Sequence, residues 1–354
     1  ILNIIGVLVI SSATGGDRSM VAKQIFGIVL GLVLVVMISL LHYRGLMEFM
    51  WLVYGICIAL LLAVIFFGYS PEGAGAVRWI KVPVIGQVQP SEIVKIGMIL
   101  FVAAFLGKYQ EKVDRFLFLV AFAFIAAIPC FLIIEQPDLS TTIVLFIMIL
   151  SMLFASGISY KWVIGSIALV IPSAAVFIYL LQGDSIPFLR GYQANRILGW
   201  IHPEKYADIN VQQDNSIMAI SSGQLMGKGL NNNTFASAKN GNFLSKEQTD
   251  FIFAVIGEEL GFIGSMAVLT LFALIVFECL RLASKARDLE GKLVCVGFAA
   301  LVGFQSFTNI SVATGIFPNT GLPLPFISYG VSSLLSLYLG VGLVVSVALR
   351  QGKN

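Results

Sequence analysis

The feature that most constrains this chain is a series of ten apolar segments, each long enough to cross or nearly cross a lipid bilayer. The hydrocarbon core of a bilayer is about 30 Å thick, and a helix of about 20 apolar residues spans it. Charged residues account for 12% of the sequence, whereas soluble domains contain about 25%. The sequence therefore predicts an all-α polytopic membrane protein with ten transmembrane helices. The segments lie near residues 1–13, 21–41, 50–69, 90–107, 115–134, 138–156, 160–182, 250–280, 291–314 and 325–349.

The chain is predicted to form one membrane domain, residues 1–354, with a single large interruption. Residues 183–249 are polar, rich in Asn and Gly, and too long for a simple turn. We therefore predict one large loop or small extramembrane subdomain between helices 7 and 8. The first apolar run is already under way at Ile1, so we expect the native chain to begin upstream and assign no signal peptide.

Basic residues are unevenly divided between the short loops on the two sides of the predicted bundle. The loops that follow helices 2, 4, 6, 8 and 10 contain eleven, and the opposite short loops contain four. The side richer in Lys and Arg is normally cytoplasmic, so loop 183–249 is expected to lie outside. The eleven are Arg44, Lys108, Lys112, Arg115, Lys161, Arg281, Lys285, Arg287, Lys292, Arg350 and Lys353, and the four are Arg18, Lys23, Arg78 and Lys81.

Composition argues against several classes of function. The four cysteines lie within apolar runs and lack zinc-type spacing, which indicates core thiols. The two histidines, His42 and His202, are far apart in the sequence, which argues against a histidine metal site or a serine-histidine hydrolase. A net charge of +3 is too small to indicate nucleic-acid binding.

Four helix starts on the predicted outer side carry unusual polar residues. Helix 4 opens with Gln89-Pro90-Ser91-Glu92 and then Lys95, and helix 6 opens with Gln136-Pro137-Asp138. Helix 8 opens with Thr249-Asp250, and helix 10 opens with Pro323-Leu324-Pro325-Phe326-Ile327-Ser328. Each start alone is typical of ordinary capping, because proline and acidic residues suit the first helical turn. Together, their free N–H groups would favour an anion such as a pyrophosphate, provided that the helices converge.

Asp250 is the most informative of these residues. An ionised aspartate costs about 2.5–3.5 kcal/mol at the bilayer centre, so an intramembrane carboxylate indicates a functional site by default. The alternative is that Asp250 only caps its helix. On a continuous helix, Asp250, Gly257, Gly261 and Gly264 share one stripe, and the GxxxG spacing allows close helix packing. This pattern predicts that Asp250 faces the bundle.

Other acidic residues form a second set of candidates. Glu92 and Lys95 are three residues apart and share a helix face. They are either a local ion pair or a buried pair that braces Asp250 or lines a cavity. Asp138 is a weaker candidate for a functional site because it lies close to a loop. Glu258 and Glu259, on other parts of helix 8, remain candidate structural partners.

The predicted outer loops also supply cations. Arg190 and Arg196 form a dense group just after helix 7, and Lys239 lies further along the same loop. Residues 78–81 (Arg-Trp-Ile-Lys) are interpreted as an interfacial anchor. Residues 223–229 look superficially like a nucleotide-binding loop, but the glycine spacing is one residue short and no Ser or Thr follows the lysine. We therefore reject ATP binding.

These stretches resemble the SEDS family (shape, elongation, division and sporulation), whose members include RodA, FtsW and SpoVE. The resemblance spans nearly the whole chain. It implies ten transmembrane helices, multi-pass insertion in the bacterial cytoplasmic membrane, and a glycosyltransferase that polymerises lipid II outside the membrane. It also implies partnership with a class B penicillin-binding protein and other wall-synthesis membrane proteins. The most specific motifs are Val88 to Lys95, Glu135 to Thr141, Ala219 to Gly223, Thr249 to Gly261 and Pro323 to Ser333.

By this resemblance, Asp250 matches the essential aspartate of the family, and Glu92 and Lys95 match its buried acid–base pair. Asp138 matches the acid of the second Gln-Pro motif, and Arg190 or Arg196 matches a loop arginine. The sequence departs from the family pattern at Gln248, where histidine is usual, at Lys246, where proline is common, and at Val331, where glycine is usual. Residues 231–247 are also unusually rich in Asn.

The sequence thus predicts a lipid II polymerase in which Asp250 is the general base. Arg190, Arg196 and Lys239, or a divalent ion such as Mg²⁺ or Mn²⁺, would hold the pyrophosphate. Asp138 and Ser328 are further substrate-binding candidates. Such an ion would be shared by Glu92, Asp138 and Asp250 if they meet; no other cofactor is predicted. The alternatives are a lipid II flippase or transporter and a non-catalytic scaffold of the wall-synthesis complex.

Overall fold

The computed structural model describes residues 1–70, 77–82, 86–166, 168, 172, 191–230 and 247–351, with the backbone alone at 191–193, 207 and 209. The arrangement is almost entirely helical. The helices are α1 (Leu2–Ala13), α2 (Arg18–Leu40), α3 (Tyr43–Glu48), α4 (Met50–Phe67), α5 (Pro90–Lys108), α6 (Phe116–Glu135), α7 (Leu139–Ala155), α8 (Gly191–Ile201), α9 (Ala207–Ser222), α10 (Ile252–Ser284), α11 (Leu289–Ala313) and α12 (Val331–Leu349). A short 3-10 turn covers Gln110–Lys112, and two strands, β1 (Ile80–Val82) and β2 (Gly86–Val88), pair antiparallel ahead of α5.

Seven of these helices, α2, α4, α5, α6, α10, α11 and α12, are long and apolar enough to cross a membrane. Two shorter apolar helices, α1 and α7, coincide with the predicted first and sixth segments. The protein is therefore a multi-pass membrane protein. Of the seventh predicted segment, 160–182, residues 160–166 are helical and most of the remainder lies outside the described residues.

The membrane helices divide into enclosed and peripheral ones. Within the apolar 18-residue stretch of each helix, the buried share is 78% in α5, 61% in α11 and 67% in α12. It is only 17% in α2 and α6 and 22% in α4. The enclosed helices are also the less hydropathic ones, because a side chain shielded from lipid does not have to be apolar. Helix α5 packs against α4, α7, α11 and α12 and so lies at the centre of the bundle.

Two predicted helix starts need correction. Helix α10 begins at Ile252 and not at residue 250, so Asp250 precedes the helix. Helix α12 begins at Val331 and not at residue 325, because residues 319–330 form an irregular segment that contains two prolines and a positive φ of 63° at Phe326.

Helix α10 is broken at Gly261, which has φ 67° and ψ −163°. The predicted stripe through Gly264 is therefore wrong, because the helix does not continue with constant phase beyond Gly261. At Gly257, by contrast, close packing is observed: a Cβ there would lie 2.9 Å from Cγ1 of Ile220 in α9. Glycine is thus required at 257 by a neighbouring helix and at 261 by the backbone conformation.

The hydrogen bonds lost at this break are replaced by residues 224–229. Two of their N–H groups donate to carbonyl groups before the break, and two of their carbonyl groups accept from N–H groups after it. The four bonds are Lys228 N to Glu258 O (2.9 Å), Gly229 N to Glu259 O (3.0 Å), Phe262 N to Gln224 O (2.8 Å) and Ile263 N to Leu225 O (3.2 Å). These bonds satisfy backbone groups that would cost several kcal/mol each if they were left without partners in lipid. Two of the glycines that resembled a nucleotide loop allow this close approach: a Cβ would lie 1.9 Å from Gly257 O at Gly223 and 2.2 Å from Glu259 O at Gly227.

The described part of the predicted loop 183–249 is not an open loop. Helix α9 folds back onto the membrane helices and packs against α10 and α11, and α8 packs against α9. The buried Gln213 and Ser216 of α9 donate hydrogen bonds to the carbonyl groups of Val312 and Ala313 at the end of α11. These bonds satisfy carbonyl groups that a helix end leaves free, so α9 caps α11.

Candidate active site

The four polar helix starts that the sequence singled out converge at one end of the bundle. At the start of α5, Gln89 donates from Nε2 to the Asp138 carboxylate that precedes α7 (2.9 Å). The backbone N–H of Gln89 donates to Ser332 Oγ in α12 (3.4 Å). The hydroxyl of Ser328, just before α12, donates to the carbonyl of Thr249, just before α10 (2.5 Å). The convergence on which the anion-site hypothesis depended is therefore present.

Residues 319–323, between α11 and α12, are the point at which these elements meet; we call them the linker segment. Four side chains, from three different helices, donate to its carbonyl groups. The bonds are Arg196 to Asn319 O (3.2 Å), Ser140 to Thr320 O (2.7 Å), Asn309 to Leu322 O (2.7 Å) and Gln305 to Pro323 O (3.0 Å). An irregular backbone inside a protein needs such partners, because its carbonyl groups are not used by a helix.

Asp250 lies beside the middle of this linker segment. A Cβ added to Gly321 would be 3.4 Å from Oδ2 of Asp250, and Gly321 has a φ of +73°. Residue Asp250 is half-buried, and its Oδ2 faces Gly321 of the linker segment. The Asp250 backbone is also held, because Asn309 donates to its carbonyl at 2.8 Å. The linker segment and the start of α10 together fix where this carboxylate lies.

Ser328, predicted as a substrate-binding residue, is used by the protein itself. Its hydroxyl donates to Thr249 O (2.5 Å) and accepts from Leu324 N (2.8 Å), and its side chain is buried. Since a hydroxyl has one hydrogen, none remains for a substrate in this arrangement. The next residue, Tyr329, donates from its backbone to Gln248 O (2.9 Å). Ser328 therefore holds the segment that carries Asp250.

Glu92 and Lys95 form a buried ion pair of 2.9 Å, with side chains 2% and 1% exposed. The Lys95 ammonium also donates to Gln305 Oε1 (2.8 Å), and Ser333 donates to Glu92 Oε2 (3.0 Å). Gln305 in turn donates to the linker segment. The pair is thus a local ion pair that is connected to the segment beside Asp250. Its burial means that these two side chains do not line an open cavity.

Asp138 has a mainly structural set of partners. It accepts from Thr141 N at the start of α7 (3.2 Å) and from Gln89, and it lies 3.6 Å from Arg78. Arg78 also donates to Pro137 O. Arg78, interpreted from the sequence as part of an interfacial anchor, has a side chain only 15% exposed, 3.6 Å from Asp138.

The remaining predicted residues are placed as follows. Arg196 reaches the linker segment through Asn319 O, whereas Arg190 and Lys239 lie outside the described residues. In α10, Glu258 pairs with Lys228 at 2.7 Å, and Glu259 accepts from Ser12 of α1. These two acids therefore bind neighbouring elements at the helix break.

The three candidate metal ligands are not gathered into one group. Within the part of the chain that the structure describes, no three His, Cys, Asp or Glu residues are placed to hold a metal ion together. Glu92 faces Lys95 and Ser333, and Asp138 faces Arg78 and Gln89. The shared divalent-ion site does not fit this arrangement.

Sequence reasoning missed the two amides of α11, Gln305 and Asn309. They are 0% and 1% exposed and lie four residues apart, so they share one face of an apolar helix. The signal was available, because amide side chains inside a membrane span need partners. It was also missed at Gln24 of α2, which donates to Ser328 O (3.3 Å).

The fold and the site together define a polytopic helical membrane protein with a polar site at one end of the bundle, built from helix starts around an acidic residue. Residues 1–353 match the sequence profile of the FtsW, RodA and SpoVE family, described as "Cell cycle protein". The chain belongs to this family.

Individual relatives agree with this assignment. The chain is 35% identical over 343 residues to the peptidoglycan glycosyltransferase MrdB of Escherichia coli K12, covering 96% of this chain and 88% of that protein. It is 35% identical over 300 residues to the probable peptidoglycan glycosyltransferase FtsW of Geobacter metallireducens, covering 83% and 75%.

Solved structures share the fold. A chain from a peptidoglycan synthase complex, solved to show the structural coordination of polymerization and crosslinking, superposes with a TM-score of 0.80 at 28% identity. The match covers 100% of this chain and 96% of that one. The rod shape determining protein RodA of Thermus thermophilus gives a TM-score of 0.71 at 26% identity, covering 100% and 95%.

Proposed function

We propose that this chain is a peptidoglycan glycosyltransferase that polymerises lipid II at the outer face of the bacterial cytoplasmic membrane. The observation that carries the proposal is the position of Asp250, a half-buried carboxylate beside Gly321 where four helix starts meet. Family membership and the names of the relatives favour this reaction over others. The proposal includes ten transmembrane helices and an outward-facing loop 183–249.

In the proposed reaction, Asp250 acts as the general base. Its carboxylate accepts the proton of the acceptor sugar 4-hydroxyl as that oxygen bonds to the anomeric carbon of the donor. The bond from that carbon to the pyrophosphate oxygen breaks, and the lipid pyrophosphate leaves with the electron pair. Glu92 and Lys95 do not touch the reacting atoms; through Gln305 they hold the linker segment beside the base.

The leaving pyrophosphate needs positive charge nearby. Arg196 lies at the linker segment and is the described residue best placed to supply it, and Arg190 and Lys239 are retained as further candidates. The free N–H groups of the converging helix starts add to the same field. Because the three carboxylates are not gathered around one point, no step is assigned to a metal ion.

We further propose that the chain works beside a class B penicillin-binding protein, which crosslinks the glycan strands. The similarity to a chain of a peptidoglycan synthase complex supports such a partner. A scaffold without activity and a lipid II flippase are the competing functions, and the following experiment separates them.

The test is polymerisation of labelled lipid II by the purified protein, with and without a candidate partner. We expect Asp250→Asn to abolish polymer, whereas Asp214→Asn, which removes an exposed carboxylate of α9, should retain it. Arg196→Ala should reduce polymer more than Arg196→Lys, since lysine keeps the charge. Normal polymer from Asp250→Asn would remove the assigned base. Lipid II transport in proteoliposomes without any polymer would favour the flippase.

A further inference from the structure

We infer that Asn309 is a positioning residue that fixes the Asp250 backbone against the linker segment; the inference rests on the proposed function of Asp250. Asn309 is 1% exposed and lies near the end of α11. Its Nδ2 donates to Asp250 O at 2.8 Å and to Leu322 O at 2.7 Å. One side chain thus joins the residue that carries the base to the segment beside which the base lies.

The chemistry of the two acceptors explains why an amide stands at this position. Both neighbours are carbonyl oxygens, which only accept hydrogen bonds, and a carboxamide nitrogen carries two hydrogens. Asn309 uses both hydrogens, while its Oδ1 accepts no hydrogen bond in the described part of the chain. A side chain without an N–H donor would leave two buried carbonyl groups without this partner, at about 1–3 kcal/mol each.

The geometry at the start of α10 explains why Asp250 needs such a clamp. The first helical turn is closed by Ala254 N donating to Phe251 O at 2.9 Å, so Asp250 itself lies outside the helix. The break at Gly261 leaves a helical stretch of only residues 252–260 after Asp250. Because Asp250 precedes the helix, its peptide can rotate without unwinding α10, and such a rotation would swing its side chain away from Gly321.

Gln305 repeats the arrangement one turn earlier on the same face of α11. Its Nε2 donates to Pro323 O at 3.0 Å, and its Oε1 accepts from Lys95 at 2.8 Å. Two successive carbonyl groups of the linker segment, at residues 322 and 323, are therefore held by two amides of one helix. The linker segment cannot move relative to α11 without breaking both, so Asn309 ties Asp250 to a fixed frame.

The first experiment measures lipid II polymerisation kinetics for Asn309→Leu and for the milder Asn309→Ser, which keeps one donor. We expect kcat to fall about tenfold to a hundredfold, the scale of a roughly 1 Å misplacement, while KM for lipid II changes less than about twofold. The matched control is Ser306→Ala. Ser306 is 3% exposed on the same helix, and its hydroxyl has no hydrogen-bond partner in the described part of the chain. This variant should retain kcat and KM.

The second experiment does not depend on catalysis. In an Asp250→Cys background, the rate of modification by a membrane-impermeant methanethiosulfonate reagent reports the placement of residue 250. The protein with Asp250 intact gives the background from the four native cysteines, three of which are buried. We expect Asn309→Leu or Asn309→Ser to change this rate at least about threefold, because thiol reactivity follows exposure and surroundings. Ser306→Ala should leave it unchanged.

The outcomes decide the inference in each case. A fall in kcat together with a changed thiol rate supports it. Unchanged thiol rates in the folded Asn309 variants overturn it, whatever the activity, and so does an equal effect of Ser306→Ala. If Asn309→Leu does not yield monodisperse protein, Asn309→Ser provides both measurements. If Asp250→Asn polymerises normally, the assignment of Asp250 as the base fails, and the thiol rates alone judge the positioning role of Asn309.

Discussion

Removing both partners of the buried pair Glu92–Lys95 should destabilise the protein far less than the sum of the two single removals. In Lys95→Met, the Glu92 carboxylate stays 2% exposed without its counter-ion, and Gln305 Oε1 loses its donor. Breaking a buried pair costs about 3–5 kcal/mol, and the orphaned amide oxygen adds about 1–3 kcal/mol. The single change Glu92→Gln should cost about 3 kcal/mol, because it leaves the ammonium buried without a carboxylate.

The double change Glu92→Gln with Lys95→Met removes both charges. A glutamine at 92 can still accept from Ser333, so the main remaining loss is the Gln305 oxygen, at about 1–3 kcal/mol. The costs of the two single changes add up to more than twice the cost of the double change. The coupling energy between the two positions should therefore be at least about 2 kcal/mol.

The assay is the free energy of unfolding in mixed detergent micelles, titrated with SDS and followed by tryptophan fluorescence. Lys108→Met is the matched control, because Lys108 is exposed at the other end of the same helix and should change stability by less than about 0.5 kcal/mol. Additive single and double changes, or single changes below about 1 kcal/mol, would refute the reasoning. Polymerisation by a folded double variant would in addition confirm that the pair positions the site without touching the substrate.

Three further predictions test other parts of the structure. Gly261→Ala should prevent recovery of folded protein on gel filtration, because its Cβ would lie 2.3 Å from Gly227 N at a φ of +67°. Gly321→Ala should lower polymerisation several-fold, because the added methyl group would lie against the Asp250 carboxylate, 3.4 Å from Oδ2, on the side from which the acceptor hydroxyl has to approach. Gly15→Ala, at φ +60° with no atom within 4 Å of the added Cβ, shares only the backbone cost of about 1–2 kcal/mol and should stay active. Burial acts to raise the pKa of Asp288, at the start of α11, but hydrogen bonds and an adjacent guanidinium outweigh it and hold the pKa below its ordinary value. The donors are Gly291 N, Tyr43 and Arg44. Its carboxylate should therefore stabilise the protein fully above pH about 4 and progressively less as the pH falls further, so thermal melts of the protein and of Asp288→Asn should converge in acid and differ near neutrality.

The membrane spans and the polar helix starts could be predicted from the sequence because both are local properties. A run such as 21–41 is apolar enough to cross a bilayer whatever it packs against, and it corresponds to α2. Proline and acid at a helix start, as in Pro90 and Glu92, mark the first turn without any tertiary contact. The short separation of Glu92 and Lys95 likewise placed them on one face, where they form their ion pair.

The break in α10 and the frame around Asp250 were decided only by tertiary structure. The sequence around Gly261 is compatible with a continuous helix, and the partners that replace its lost hydrogen bonds lie more than 30 residues earlier, in residues 224–229. Asn309 and the linker segment are adjacent to Asp250 only because α10, α11 and the segment before α12 fold together. The length of an apolar run can be read directly from a sequence, whereas backbone hydrogen bonds between distant residues leave no pattern in it. That difference separates what could be predicted here from what could not.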